Sequence, residues 1–202
     1  MRKLLQLKTS LFSDHGESSR LSDAFVTAWR EHHPEAEVVT RDFATDPVPH
    51  LDGEGFKAFL AKPEERTLDQ QARAAYADEL IAELAAADTL VIGLPMYNLG
   101  IPSMLKSWLD HVVRAGITFR YTATGPQGLL SGKKAYIFAA RGGNYVGTPY
   151  DTQTDYVRNI LGFIGITDVE FVYAEGLNMG EESKEAGLRA AHSDLARVAV
   201  QA

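Results

Sequence analysis

Apolar runs alternate with amphipathic stretches along this chain. "TLVIGLP" (89–95) is almost continuously apolar, the pattern of a central strand covered on both faces. "KLLQLKTS" (3–10), "EVVTRDF" (37–43), "KAYIFAA" (134–140) and "VEFVYAE" (169–175) read as four further strands. Between them, apolar residues recur at helical spacing. Leu21, Ala24, Phe25, Ala28 and Trp29 predict a helix that ends before Pro34. Thr67 and Gln70 form a capping-box pattern ahead of a helix with Tyr76, Ala77, Leu80, Ile81 and Leu84 inward. Met104, Leu105, Trp108, Leu109, Val112 and Val113 predict a helix over 103–115, with Gly116 as its cap. Val157, Ile160, Leu161 and Ile164 predict another, stopped at Gly165. Leu188, Ala191, Leu195 and Val198 predict a last one. Residues 44–66, rich in Pro, Gly and charge, read as an irregular connection. Residues 117–134 read as a long excursion with turn signals at Gly125–Pro126 and Ser131–Gly132.

Five strands alternating with five helices predict βαβ units and a five-stranded parallel sheet with helices on both faces. The expected architecture is a doubly wound three-layer αβα sandwich in a single domain over 1–202, flavodoxin-like or Rossmann-like. The chain has 202 residues, 45% hydrophobic and 23% charged, as expected of a globular domain. It has no cysteine, which excludes disulfides, thiol catalysis and Cys-ligated metals. A net charge of −7 argues against a nucleic-acid partner. No run approaches a membrane span or a signal peptide, so a cytoplasmic location is expected. The histidine spacing matches no metal motif. His111, beside Asp110 and Lys106, is expected on a solvated face.

In an open α/β sheet, ligands bind beyond the C-terminal ends of the strands. The loop after the first strand, "TSLFSDHGESS", lacks the GxGxxG of a dinucleotide site but carries Thr9, Ser10, Ser13, Ser18 and Ser19. Hydroxyls and free N–H groups at a helix start suit one terminal phosphate. The bland alternative makes Ser18 an N-cap in a solvated loop. "GLPMYNLGIPSMLK" (93–106) resembles neither a tight turn nor a phosphate loop. Pro95 and Pro102 stiffen it. Met96, Tyr97 and Leu99 offer flat or soft apolar contact, and Asn98 offers a donor and an acceptor. That set suits a planar ring with polar edges, and equally a helix-entry loop that covers the core. After the fourth strand, "ARGG" supplies two glycine amides that could face a developing anion, with Arg141 as added positive charge.

Taken together, "LPMYNLGIPSMLKSWLDHVVRAGITFRYT", "GPQGLLSGKKAYIF", "ARGG" and "LGFIGITDVEFVYAEG" resemble the FMN-dependent NADH:quinone oxidoreductases, also called FMN-dependent NADH azoreductases. The resemblance spans essentially the whole chain. It implies a flavodoxin-like fold with strand order 2-1-3-4-5 and a homodimer with its active sites at the subunit interface. It implies one FMN per subunit, its phosphate on Ser10, Gly16, Glu17 and Ser18. The isoalloxazine would lie along Met96, Tyr97, Asn98 and Leu99, with Ala140, Arg141, Gly142 and Gly143 at its other edge. NADH would be the electron donor, and quinones and azo compounds the acceptors, in a ping-pong cycle. The flavin carries the hydride in such chemistry, so no side-chain acid or base is assigned. Two positions depart from the family pattern: Leu99 stands where Phe is frequent, and Ala140 where Ser is. The alternative reading is a flavodoxin-type electron carrier without a substrate pocket. Moderate charge and the two insertions, 44–66 and 117–133, argue against it.

Overall fold

The computed structural model describes residues 2–202. Its strands are β1 (Lys3–Lys8), β2 (Glu37–Asp42), β3 (Thr89–Pro95), β4 (Phe119–Thr122), β5 (Gly125–Gly128), β6 (Lys134–Ala140) and β7 (Asp168–Ala174). Its α-helices are α1 (Glu17–His32), α2 (Gly53–Leu60), α3 (Leu68–Ala86), α4 (Ser103–Val112), α5 (Thr154–Phe163) and α6 (Glu181–Val200). Five strands form one parallel sheet in the order β2-β1-β3-β6-β7. Counted within that sheet, the order is 2-1-3-4-5. The direction of winding reverses between β1 and β3, so the loops leaving these two strands diverge and open a crevice.

Every residue of β3 is buried, as its unbroken apolar run requires. Alternate residues of the strands serve two separate cores. On one face Leu5, Leu7, Ile92, Leu94 and Ile137 pack against Leu80 and Leu84 of α3, Trp108 of α4 and Leu161 of α5. On the other, Leu4, Val91, Phe138 and Val172 pack against Phe25 and Trp29 of α1 and Leu195 and Val198 of α6. Gly93 interrupts β3 for a steric reason. A Cβ there would lie 2.9 Å from the Ser18 carbonyl oxygen, so glycine allows the first turn of α1 to rest on the strand.

Four local expectations change. The 44–66 connection contains α2, capped by Asp52, whose carboxylate accepts the Gly55 N–H at 2.7 Å. Its Gly- and Pro-rich composition hid an eight-residue helix, and among the described residues the α-helices number six rather than five. The 117–134 excursion holds the antiparallel β4–β5 hairpin, whose turn uses Gly125 at φ +119°. The helix predicted over 103–115 stops at Val112. There the Thr118 hydroxyl donates to the Val112 carbonyl and accepts from the Arg114 N–H, a cap supplied from beyond the helix in place of Gly116. Finally, His111 is buried, with Nδ1 at 2.9 Å from the Ser107 carbonyl and its ring edge-on to Phe59 and Tyr76. It sits on the inner flank of α4, which α2 and α3 cover.

Candidate functional site

A cleft of about 270 Å³ lies at the C-terminal ends of β1, β3 and β6. Nine predicted residues line it: Ser10, Gly16, Glu17, Ser18, Met96, Tyr97, Ala140, Arg141 and Gly142. Asn98 and Leu99, which follow Tyr97, and Gly143, which follows Gly142, are not among its lining residues. A larger hollow of about 750 Å³ lies at the opposite end of the sheet, around Arg2, Asp88 and Lys134. Its Lys134 pairs with Asp168 and Glu170, and Asp88 accepts the Lys3 N–H, so its polar groups are largely spent on one another.

The first end of the cleft is the start of α1. Gly16 is the N-cap and provides no side chain, so the leading N–H groups of the helix have no side-chain cap. Ser18 lies inside the first turn, is fully buried, and its Oγ has no hydrogen-bond partner. The same is true of Ser19. The N-cap reading of Ser18 is therefore excluded. A buried hydroxyl without a partner costs about 1–3 kcal/mol, which a ligand accepting its proton would recover. Gly16 is required by packing: a Cβ would lie 2.1 Å from Ser10 Oγ. The preceding turn is held by an ion pair from the buried Lys8 to Asp14 and a hydrogen bond from Ser13 to Asp42. His15 and Lys184 also line this end. Sequence reasoning missed Lys184, which arrives from α6 with no local signal.

The second end is formed by the loops after β3 and β6. Tyr97 to Gly100 is a tight two-residue turn, contrary to expectation. The Tyr97 and Gly100 backbones exchange hydrogen bonds of 3.2 and 2.9 Å, with Asn98 at φ +51° and Leu99 at φ +62°. Positive φ at both central positions is type I′ geometry. Asn tolerates it, whereas Leu does so only under constraint. The constraint is visible: Gln153, fully buried, donates to the Pro95 and Gly100 carbonyls at 2.9 Å each, and the Thr152 hydroxyl donates to the Leu99 carbonyl. Tyr97 reaches across the cleft, where its phenolic oxygen accepts the Leu11 N–H at 3.1 Å. The two loops are thus tied into one wall.

Arg141 corrects a second expectation. Its guanidinium is buried and turned away from the cleft. It pairs with Asp151 at 2.8 Å and Glu175 at 3.2 Å, and lies over the Tyr173 ring. Its charge is spent on this pair of carboxylates. Burial alone would raise the Asp151 carboxyl. Hydrogen bonds from Arg141 and Thr154 outweigh it and hold the group below the ordinary carboxylate value. What this segment offers the cleft is backbone: the N–H groups of Gly142 and Gly143 donate to nothing among the described residues. A Cβ on Gly142 would meet the Asn178 amide at 2.6 Å, and one on Gly143 the Tyr145 ring at 2.8 Å. Asn178 and Leu177 complete this wall, and no sequence signal marked them.

A flavodoxin-like fold family model matches residues 2–198. This defines the class as α/β proteins with the fold described above. The chain is 57% identical to the FMN-dependent NADH:quinone oxidoreductase of Alcanivorax borkumensis, over 95% of this chain and 97% of that one. It is 53% identical to a protein of the same name from Cellvibrio japonicus, over 91% and 92%. Among solved structures, an azoreductase from Bacillus anthracis superposes with a TM-score of 0.92 at 31% identity, covering all of both chains. The chain belongs to the flavodoxin-like family of FMN-dependent NADH:quinone oxidoreductases.

Proposed function

We propose that this chain is an enzyme that binds FMN in the cleft and uses NADH for two-electron reduction of quinones and reductive cleavage of aromatic azo compounds. The observation that carries the reading is the unpartnered Ser18 hydroxyl, buried beside the uncapped start of α1. These donors suit the oxygens of a phosphate monoester. Ser10, Gly16, Glu17 and Ser18 would hold the phosphate, with Lys184 as countercharge. Met96, Tyr97, Asn98 and Leu99 would line one side of the ring, and Ala140, Arg141, Gly142 and Gly143 its polar edge, through their backbone. Once bound, FMN would supply hydride acceptance from NADH and two-electron delivery to the acceptor, alternately at one place.

The chain's own residues bind, orient and polarise. The Gly142 and Gly143 amides, free of acceptors among the described residues, would serve as donors to negative charge on the reduced ring and so favour the reduced state. Tyr97, held by Leu11, sets the width of the cleft. Leu99, in place of an aromatic ring, leaves its carbonyl held by Thr152 and keeps the turn in position. Ile117, Tyr121 and Leu129 on and around the β4–β5 hairpin are exposed. We assign them to a homodimer contact that closes the pocket over the ring.

The test is direct. The protein is reconstituted with FMN, supplied with NADH and benzoquinone, and followed at the NADH absorbance band. Sustained turnover with parallel-line initial-rate kinetics is expected. FMN binding without steady-state turnover would sink the enzyme reading in favour of an electron carrier.

A further inference from the structure

The loop after β7, Glu175 to Asn178, engages every carbonyl of the Arg141–Gly143 segment. The Leu177 N–H donates to the Arg141 carbonyl at 3.1 Å, Asn178 to Gly142 at 2.9 Å, and Gly176 to Gly143 at 3.1 Å. In a trans peptide unit the N–H points opposite to the preceding C=O. With three carbonyls turned toward the β7 loop, the N–H groups of Gly142, Gly143 and Asn144 turn the other way. None of the three donates to another atom among the described residues. Consecutive amides facing one direction make a concave donor set suited to negative charge.

Glu175 holds both flanks of this set. Its Oε1 accepts from Arg141 Nη1 at 3.2 Å, from the Tyr145 N–H at 2.8 Å and from the Val146 N–H at 3.0 Å. One carboxylate oxygen therefore joins the residue before the three amides to the residues after them. The loop is fixed from behind. Gly187 of α6 packs so closely that a Cβ would lie 2.1 Å from the Glu175 carbonyl oxygen. Gly176 turns the chain at φ +69°.

We propose that Glu175 is the positioning residue for the ring end of the site. By holding Arg141 on one flank and the Tyr145 and Val146 amides on the other, it keeps the Gly142, Gly143 and Asn144 N–H groups aimed together at the bound ring. The inference rests on the FMN reading above. Glu175 acts through the backbone and does not itself touch the flavin. Its effect is therefore confined to the ring, and the phosphate at the other end of the cleft is indifferent to it.

That confinement supplies the test. Apo protein is titrated with FMN and with riboflavin, which has the ring but no phosphate, by quenching of flavin fluorescence. Glu175→Ala is expected to weaken both ligands by the same factor, on the order of tenfold, as for loss of charge-assisted hydrogen bonds. Glu175→Gln keeps an acceptor oxygen and is expected to remain within about threefold of the parent for both. Ser18→Ala is the control from the other end and weakens FMN alone. Unchanged riboflavin affinity in Glu175→Ala overturns the proposal, as does Glu175→Gln failing equally. If Glu175→Ala does not fold, Glu175→Asp carries the test, because it keeps the charge but shortens the reach to the two amides. Wild-type riboflavin affinity in folded Glu175→Asp would refute it. A parent protein that binds no FMN overturns the FMN reading as well, which separates the two failures.

Discussion

At the end of the cleft proposed for the phosphate, the polar groups apart from Lys184 come from one short stretch, Ser10 to Ser18, that leads into the first turn of α1. At the end proposed for the ring the donors are backbone groups of residues 142–144, in a segment held across 10 to 34 residues of chain: Asp151 pairs with Arg141, which precedes these residues, and Glu175 holds both flanks. The wall opposite is set in the same way, by Gln153 across 58 and 53 residues. The first end is a local motif in which the Ser18 and Ser19 hydroxyls are left unsatisfied. The second is a tertiary construction whose supports bond to one another and to backbone carbonyls while a few amides stay free. Damage should therefore propagate differently. Lesions among the ring-end supports should cost fold stability and flavin together. Lesions at the phosphate end should cost ligand affinity alone.

The largest effect is expected from Arg141→Leu. It leaves Asp151 and Glu175 facing each other without their cation, and removing one partner of a buried pair costs about 3–5 kcal/mol. Urea unfolding measures it, and a loss under 1 kcal/mol would mean that the network is relaxed by solvent. Gly187→Ala comes next. Its Cβ meets backbone rather than a flexible side chain, so about 1–3 kcal/mol of overpacking is expected, with a matching fall in flavin affinity. Gln153→Leu removes the side-chain donor to the Pro95 and Gly100 carbonyls, leaving the latter only the Tyr97 N–H, and should cost about 1–3 kcal/mol. It should also release the Tyr97–Gly100 turn to faster amide exchange. Ser18→Ala sharpens the contrast. FMN affinity should fall about tenfold or more, while the stability of the apo protein holds or rises, because the hydroxyl loses no partner in the protein.

The smallest effect is with pH. The folded Asp151 carboxyl is held below its ordinary value of 3.8. A depressed carboxyl contributes stability that is complete above the unfolded value and lost as pH falls through the folded one. Urea midpoints should therefore drop below about pH 4 through this group, and the drop should be shallower in Asp151→Asn. An unchanged slope would remove Asp151 from the ring-end support.

Much of the fold was legible. The apolar run of β3, the helical spacing of Leu21 to Trp29 and the strand–helix alternation each report a periodicity that burial imposes directly on sequence. Nine of the twelve predicted site residues line the cleft, because they sit on loops whose position follows from the sheet. What failed has a common cause. The 44–66 helix is short and glycine-bearing, and its stability comes from packing on α3. The Tyr97–Gly100 turn places a leucine at positive φ, which local propensity disfavours and Gln153 with Thr152 enforces. His111 looks solvated beside Asp110 and Lys106, but neighbouring helices cover its flank. The cation expected of Arg141 is consumed by two acids that the sequence gives no reason to pair with it.

By itself, the sequence determined the alternation of elements, the two apolar faces of the sheet and the hydroxyl-rich start of α1, since each depends on residues close together in the chain. Only the tertiary structure decided where the Arg141 charge goes, which amides stay free and what holds the Tyr97–Gly100 turn. These depend on hydrogen bonds between loops far apart in the chain. Such bonds exist only once the parallel sheet has brought the ends of β1, β3, β6 and β7 to one edge.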